Sequence, residues 1–298
     1  MAKLIECKPN FSEGRDAGVV CKLAEAAGSV PGVTLLDYTS DTSHNRSVLT
    51  LVGDPGGIAE AAFRLCKLAG EEIDMTKHNG EHPRMGATDV IPFVPIRDVG
   101  IEECVEISKQ VAGRIWEELG IPIFLYECSA SCAGRRNLAS VRKGQFEGMP
   151  EKLLLDEWAP DFGERKIHPT AGITAVGARL PLVAFNVNLN TSDIEIANAI
   201  AKAVRGSSGG FEYCKAIGVM LDEQNMAQVS MNFVNCEGTP IYQVFEAIKA
   251  EAAIRGVQIA GSELVGLAPA KALIDCAEHY LQIVDFDFRR QVLENHLL

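Results

Sequence analysis

The 298-residue chain contains no uninterrupted apolar run of about 18 residues, the length a membrane-spanning helix needs. Its first residues, MAKLIECKPNF, lack the long apolar stretch and small-residue cleavage site of a secretory leader, so a cytoplasmic location is expected. No C-x-x-C pair occurs among nine cysteines; the nearest approach is Cys128 and Cys132. An odd count without that spacing excludes a disulfide framework and points to a reducing compartment. Cys21, Cys66, Cys104 and Cys276 lie in apolar runs, where a free thiol behaves as a small buried hydrophobe. Phosphate-cradling loops are missing too: GDPGG and GSSGG match neither G-x-G-x-x-G nor the Walker pattern. There is no G-x-S-x-G nucleophile elbow. Positive charge is scarce, with 28 Lys and Arg against 40 Asp and Glu and a formal net charge of −12. That balance argues against nucleic acid or an anionic membrane as the main partner. An acidic ligand would need a locally basic pocket.

What is present is an ordinary globular composition, 47% hydrophobic and 23% charged, with a length that suits two domains. KLIECKP reads as a strand, Asp16 to Ser29 as a helix, and GVTLLDY and RSVLTLVG as strands rich in leucine and β-branched residues. Asp54 and Pro55 stand as N-cap and first helical residue of a helix through GIAEAAFRLCKLAGEEI. DVIPFVPI follows as a strand. This β-α-β-β-α-β order is the split βαβ arrangement, extended by a helix from Ile101 to Leu119 and the strand IPIFLYE. After Pro181 the order recurs: LVAFNVNL, a helix IEIANAIAKAVR capped by Ser192 or Asp193, AIGVMLD, MAQVSMNFVN, IYQVFEAIKAEAAIRG after Thr239 and Pro240, and VQIAGSELVG. The expected fold class is α+β, two two-layer α/β sandwiches, with subdomains at 1–179 and 180–298. The joining segment WAPDFGERKIHPTAGITAVGAR, 158–179, reads as a long connection without secondary structure. Such segments are usually functional or disordered, and its aromatic and apolar content argues against disorder.

The densest ionisable chemistry lies in KHNGEHPRMGATD, Lys77 to Asp89. His78 and His82 are spaced as in a zinc helix, but the order is H-N-G-E-H rather than H-E-x-x-H. Gly80 and Pro83 also oppose the helix that spacing requires, so no metal is expected. Proton transfer remains, because a neutral imidazole can accept and return a proton within one turnover. Pro83 stiffens the backbone after His82, and Lys77 and Arg84 supply positive charge. The competing reading has His82 bonding a neighbouring carbonyl while the charges merely solvate a loop. Composition leaves both open. Arg135, Arg136, Arg142 and Lys143 read as a solvated helix face.

The segments ECKPNFSEGR, HNRSVLTLVG, DMTKHNGEHPRMGATDVIPFVPI, WAPDFG, GARLPLVAFNVNL and GSELVGLAPAKAL run in order from about Ile5 to Leu273. Together they closely resemble the glutamate formiminotransferase family. The resemblance implies two ferredoxin-like subdomains with a folate groove between them, assembled as a homodimer. It implies transfer of a formimino group from N-formimino-L-glutamate to N5 of tetrahydrofolate, giving 5-formiminotetrahydrofolate and L-glutamate in histidine degradation. Tetrahydrofolate would be a co-substrate, with no metal, nucleic acid or membrane involved. His82 in GEHPR would be the catalytic base and acid. Folate contacts would come from Gly163, Glu164, Arg165, Lys166, Ile167, His168, Pro169, Thr170, Ala171 and Gly172. Of these, Gly163, Pro169 and Gly172 match the family pattern, and those between them are expected to act through their backbone.

Arg46 and Arg84, with Arg165 and Lys166, are expected to meet the carboxylates of substrate and folate tail. Asp37, Asp41 and Asp89 are candidates for a protonated formimino group. Some members carry a cyclodeaminase on the same chain; here that step is expected to fall to a separate enzyme. Two rival readings are a formyl-transferring relative acting on 5-formyltetrahydrofolate and glutamate, and a non-catalytic folate-binding module.

Overall fold

The computed structural model describes residues 3–296, and the chain divides into two units, Met1–Arg179 and Leu180–Leu298. In the first unit the elements run β1 (Leu4–Cys7), β2 (Asn10–Phe11), α1 (Ala17–Gly28), β3 (Val33–Asp41), β4 (Arg46–Gly53) and α2 (Pro55–Glu72). They continue β5 (Thr88–Arg97), α3 (Ile101–Leu119), β6 (Ile123–Glu127), α4 (Leu138–Arg142), α5 (Gln145–Lys152) and β7 (Thr174–Ala178). Side-chain caps set where the first helices begin: Asp16 accepts from the amides of Gly18 and Val19, and Asp54 from that of Gly57. These bonds satisfy donors that a first helical turn leaves orphaned.

The sheet runs β3-β4, then β1 and β2 end to end, then β5-β7-β6. Pro9 separates β1 from β2, since it has no N–H to give the ladder. β7 pairs parallel with both β5 and β6, while the other pairings are antiparallel. The stretch 158–179 is therefore not free of secondary structure, because its last third is a central strand. Every residue of Thr174–Ala178 is buried. A short strand buried on both faces shows no polar alternation, and its Thr, Ala and Gly content gives no strand signal. The core of this unit packs α1, α2 and α3 against the sheet through Leu23, Leu65, Ile91, Phe93 and Ile115.

All nine cysteines are free. Cys66 and Cys104 are buried and Cys276 half-buried, but Cys21 is exposed. It falls on the solvent side of α1, whose buried face is Val19, Val20, Leu23 and Ala27.

The second unit runs β8 (Val183–Leu189), α6 (Ile194–Val204), β9 (Cys214–Leu221), β10 (Met226–Phe233), α7 (Ile241–Ile254), β11 (Ile259–Val265) and α8 (Ala270–Leu281). Asp193 caps α6, accepting from Glu195. Its sheet has the order β11-β8-β10-β9 with every neighbour antiparallel. The two units are thus α+β in class. The helix α8, beginning at the APAKAL of the GSELVGLAPAKAL stretch, lies beyond the repeated element order. Among the described residues no helix is long and apolar enough to cross a membrane.

Candidate active site

Three loops of the first unit meet at one end of the sheet: the turn after β2, the β3–β4 connection, and the segment between α2 and β5. They are sewn together through backbone and amide groups. The Gly14 N–H donates to Asn45 Oδ1 at 3.0 Å, Asn45 Nδ2 to the Asn79 carbonyl at 2.9 Å, and Ser12 Oγ to the Gly86 carbonyl at 2.8 Å. Two glycines permit the close approach. A Cβ on Gly14 would sit 2.4 Å from the Asp41 carbonyl oxygen, and one on Gly80 would sit 2.3 Å from that of His44. The small cleft so formed is lined by Phe11, Ser12, His44, Asn45, Arg46, His78, His82, Arg84 and Asp89.

The two histidines of KHNGEHPRMGATD have different surroundings. His78 is tied at both ring nitrogens: Nδ1 accepts from Arg84 Nε at 3.0 Å and Nε2 lies 2.9 Å from the Asn45 carbonyl. That pair of partners fixes the neutral tautomer with the proton on Nε2. Burial, helped by the charge of Arg84, holds its pKa below the ordinary imidazole value. His82 is half-buried, and among the described residues neither of its ring nitrogens is hydrogen-bonded. Its ring meets that of His44 edge-on at 6.0 Å. Burial, then the positive charges of Arg46 and Arg142, lower its pKa to about 4 despite the carboxylate of Asp89. His82 is therefore a neutral imidazole with both nitrogens uncommitted, whereas His78 is locked.

The arginines divide in the same way. All five N–H donors of Arg84 are engaged within the protein: Nε to His78, and the two terminal nitrogens to Gln145, the His78 carbonyl and both oxygens of Glu147. It is 7% exposed, so the open carboxylate-binding fork expected of Arg84 is absent. Arg84 instead braces the loop against α5. Arg46 donates to Asn10 Oδ1, but its Nε is buried with no partner among the described residues. Burial and the nearby Arg142 lower its pKa from the usual guanidinium value.

The helix-face reading of 135–143 fails at two positions. Arg142 pairs with Asp89, whose other oxygen accepts from the Met85 N–H at 3.0 Å and closes the loop. Arg135 is 5% exposed and pairs with Asp161 at 2.6 Å. Each buried carboxylate recruits a cation from far along the chain, a pairing that helix periodicity does not encode. Asp41 bonds the backbone and ring of His44 on the exposed rim, and Asp37 is exposed on β3.

The segment Gly163 to Gly172 is ordered against this loop. Thr170 accepts from Met75, Ala171 from Ala87, and Met85 from Ile173. His168 and Gly172 exchange both backbone bonds, and His168 Nδ1 accepts from the Ala171 N–H at 3.0 Å. Gly172, at φ 73°, lies where a Cβ would come within 2.3 Å of the Met85 carbonyl. Gly163, at φ 114°, is wedged against Trp116 and Pro122. Ala171 and Gly172 are buried; Ile167, His168 and Thr170 are half-buried; Glu164, Arg165, Lys166 and Pro169 are exposed. Arg165 pairs with Asp156 at 2.7 Å. Asn45, Gln145 and Glu147 carried no signal in the sequence, since each acts only through a partner distant in the chain.

The model described as "Formiminotransferase domain, N-terminal subdomain" matches residues 4–179, and "Formiminotransferase domain" matches 184–292. The chain is 69% identical over 298 residues to the glutamate formimidoyltransferase of Streptococcus pyogenes serotype M1, covering 100% of both chains. It is 47% identical over 286 residues to the glutamate formimidoyltransferase of Thermoplasma acidophilum, covering 95% of this chain and 94% of that one. Against the formimidoyltransferase-cyclodeaminase of Sus scrofa it is 45% identical over 288 residues, 95% of this chain but 53% of the longer relative. The two matched segments and the full-length likeness lead to one conclusion: the chain belongs to the formiminotransferase family.

Proposed function

We propose that this chain transfers the formimino group of N-formimino-L-glutamate to N5 of tetrahydrofolate, with His82 moving the proton. The reading is carried by one observation: among the described residues, His82 is the loop histidine whose ring nitrogens are both uncommitted, in a cleft that keeps it neutral. The N5 lone pair attacks the formimino carbon, and the C=N electron pair moves onto nitrogen. His82 accepts the N5 proton. As the tetrahedral intermediate collapses, the bond to the glutamate nitrogen breaks and that nitrogen takes the proton from His82. An imidazolium with a pKa near 4 is a strong enough acid to return the proton readily.

Arg46, whose Nε has no partner among the described residues, is assigned to a substrate carboxylate. An anion there would offset its charge and make His82 more basic as substrate binds. Arg84 is assigned a positioning role. Folate contacts are assigned to Gly163 through Gly172, where exposed Lys166 offers a cation to the glutamate tail. We also read both sheets as ferredoxin-like, since β1-α1-β3-β4-α2-β5 and β8-α6-β9-β10-α7-β11 each place their strands in the spatial order 4-1-3-2.

The test is a transfer assay with formiminoglutamate and tetrahydrofolate. His82→Ala should fold and bind folate while turnover falls by about 10²–10⁴-fold. Turnover near that of the unaltered chain would sink the assignment. Parallel rates with formylglutamate as donor distinguish the formyl-transferring alternative.

A further inference from the structure

The helix α4 is five residues long, too short for its own hydrogen bonds to hold it. Yet it carries Arg142, whose Nε donates to Asp89 Oδ2 at 2.8 Å and whose charge faces His82. Its start is capped by Asn137, which accepts from the Ala139 N–H. The other end presents carbonyls that a helix leaves without partners. Lys152, the last residue of α5, meets them. Its Nζ donates to the carbonyls of Ser140 at 2.8 Å, Val141 at 2.7 Å and Lys143 at 3.0 Å. These acceptors flank Arg142 in the chain. An ammonium has three N–H donors, so the group is wholly spent on this backbone.

The surroundings of Nζ favour that geometry. Lys152 is half-buried, with Nζ 3.7 Å from the centroid of the Trp158 ring, whose face attracts a cation. Burial, then the charges of Lys143 and Arg135, lower its pKa to about 8, so the cation is kept where solvation alone would not place one. The opposite end of α5 is anchored to the His82 loop. There the Phe146 N–H donates to the Arg84 carbonyl at 2.9 Å, and Gln145 and Glu147 accept from the Arg84 guanidinium. One helix thus ties down both the loop and α4.

We propose that Lys152 is a positioning residue for the transfer, an inference that rests on the transferase reading above: by closing the end of α4 it sets the Arg142 guanidinium against Asp89, at a fixed place beside His82. The charged and titratable groups facing His82 are Arg46 on β4, Arg142 on α4, Asp89 on β5 and His44 in the β3–β4 connection. Arg46 and Asp89 are fixed by the sheet, whereas Arg142 depends on α4 and through it on Lys152. Without the cap α4 frays and Arg142 moves away. His82 then faces the less covered carboxylate of Asp89, which favours its protonated form.

The readout is the protonation midpoint of the His82 ring, followed by NMR and identified by the signal that His82→Ala removes. Lys152→Met keeps most of the stem and removes all three donors. It should raise the midpoint by about half a unit to one unit, the effect of moving one charge a few ångströms in a partly screened site. The acidic limb of kcat/KM should move upward with it. Lys152→Arg, which keeps a cation and its donors, should bring the midpoint back toward that of the unaltered chain. On an Asp89→Asn/Arg142→Met background, Lys152→Met should leave the midpoint where it is, since the pair it positions is gone. Lys152→Gln reads the same upward shift, at smaller size, should the methionine variant not fold. An unchanged midpoint in the folded variant, or an equal shift on the Asp89→Asn/Arg142→Met background, overturns the proposal. Absence of transfer by the unaltered chain, with the midpoint still raised by Lys152→Met, would sink the transferase reading and leave the positioning role standing.

Discussion

Asp89→Asn isolates what holds the His82 loop in place. Asp89 is 3% exposed; one oxygen accepts from the Met85 N–H and the other from Arg142, whose side chain is 14% exposed. Asparagine keeps the bond to Met85. It removes the negative charge and leaves the guanidinium of Arg142 buried beside Arg46. Stripping one partner from a buried pair costs about 3–5 kcal/mol. Because Arg142 retains some access to water, the low end applies. For a unit the size of Met1–Arg179 about 3 kcal/mol corresponds to a Tm lowered by about 6–12 °C. Urea unfolding followed by circular dichroism measures the change directly, with an unaltered m-value showing that the folded state keeps its extent. Asp89→Asn combined with Arg142→Met should recover most of the loss, since no buried charge then lacks a partner. The variant has a second signature. Asp89 raises the pKa of His82, so its neutralisation should move the acidic limb of kcat/KM to lower pH. A stability loss below about 1 kcal/mol, the value of a solvent-screened pair, would refute the reasoning.

The activity of the unaltered chain should hold through neutral pH and fall only as acid protonates His82 near its free value of about 4. The sign follows from linkage: the folded pKa lies below the ordinary 6.5, so the stability this group contributes is full above 6.5 and is lost as pH falls toward 4. Arg46→Met removes a charge that depresses this pKa, and should shift the acidic limb of kcat/KM upward while raising the KM for formiminoglutamate; an unchanged KM would separate Arg46 from substrate. His78→Leu leaves Arg84 Nε and the Asn45 carbonyl unpaired and should cost about 1–3 kcal/mol for each buried orphan, read by urea unfolding. Its kcat/KM profile should keep the same acidic midpoint, and a displaced midpoint would mean that His78 titrates in turnover.

Elements with local signals were legible in the sequence. Asp54 caps α2, and Asp193, one of two caps the sequence offered, caps α6, through bonds reaching two or three residues; Asp16, read as the first residue of its helix, is its cap. The alternation of MAQVSMNF marked β10 because one of its faces packs on helices. β7 carried no such mark, being buried on both faces. The paired arginines show the same limit. Arg135 and Arg142 look like solvated helix charges until Asp161 and Asp89 are seen against them, 26 and 53 residues away in the chain.

By itself the sequence determined the α+β class, the repeated element order, the family, and the loop in which ionisable side chains are concentrated. Each of these follows from short-range patterns of capping, periodicity and motif. The motif singled out His82, but only the tertiary structure gave the physical difference between His78 and His82, and only it separated Arg84 from Arg46. In each pair the two residues are chemically alike. What distinguishes them is whether distant groups, the Asn45 carbonyl and the Glu147 carboxylate, already occupy their hydrogen-bonding capacity.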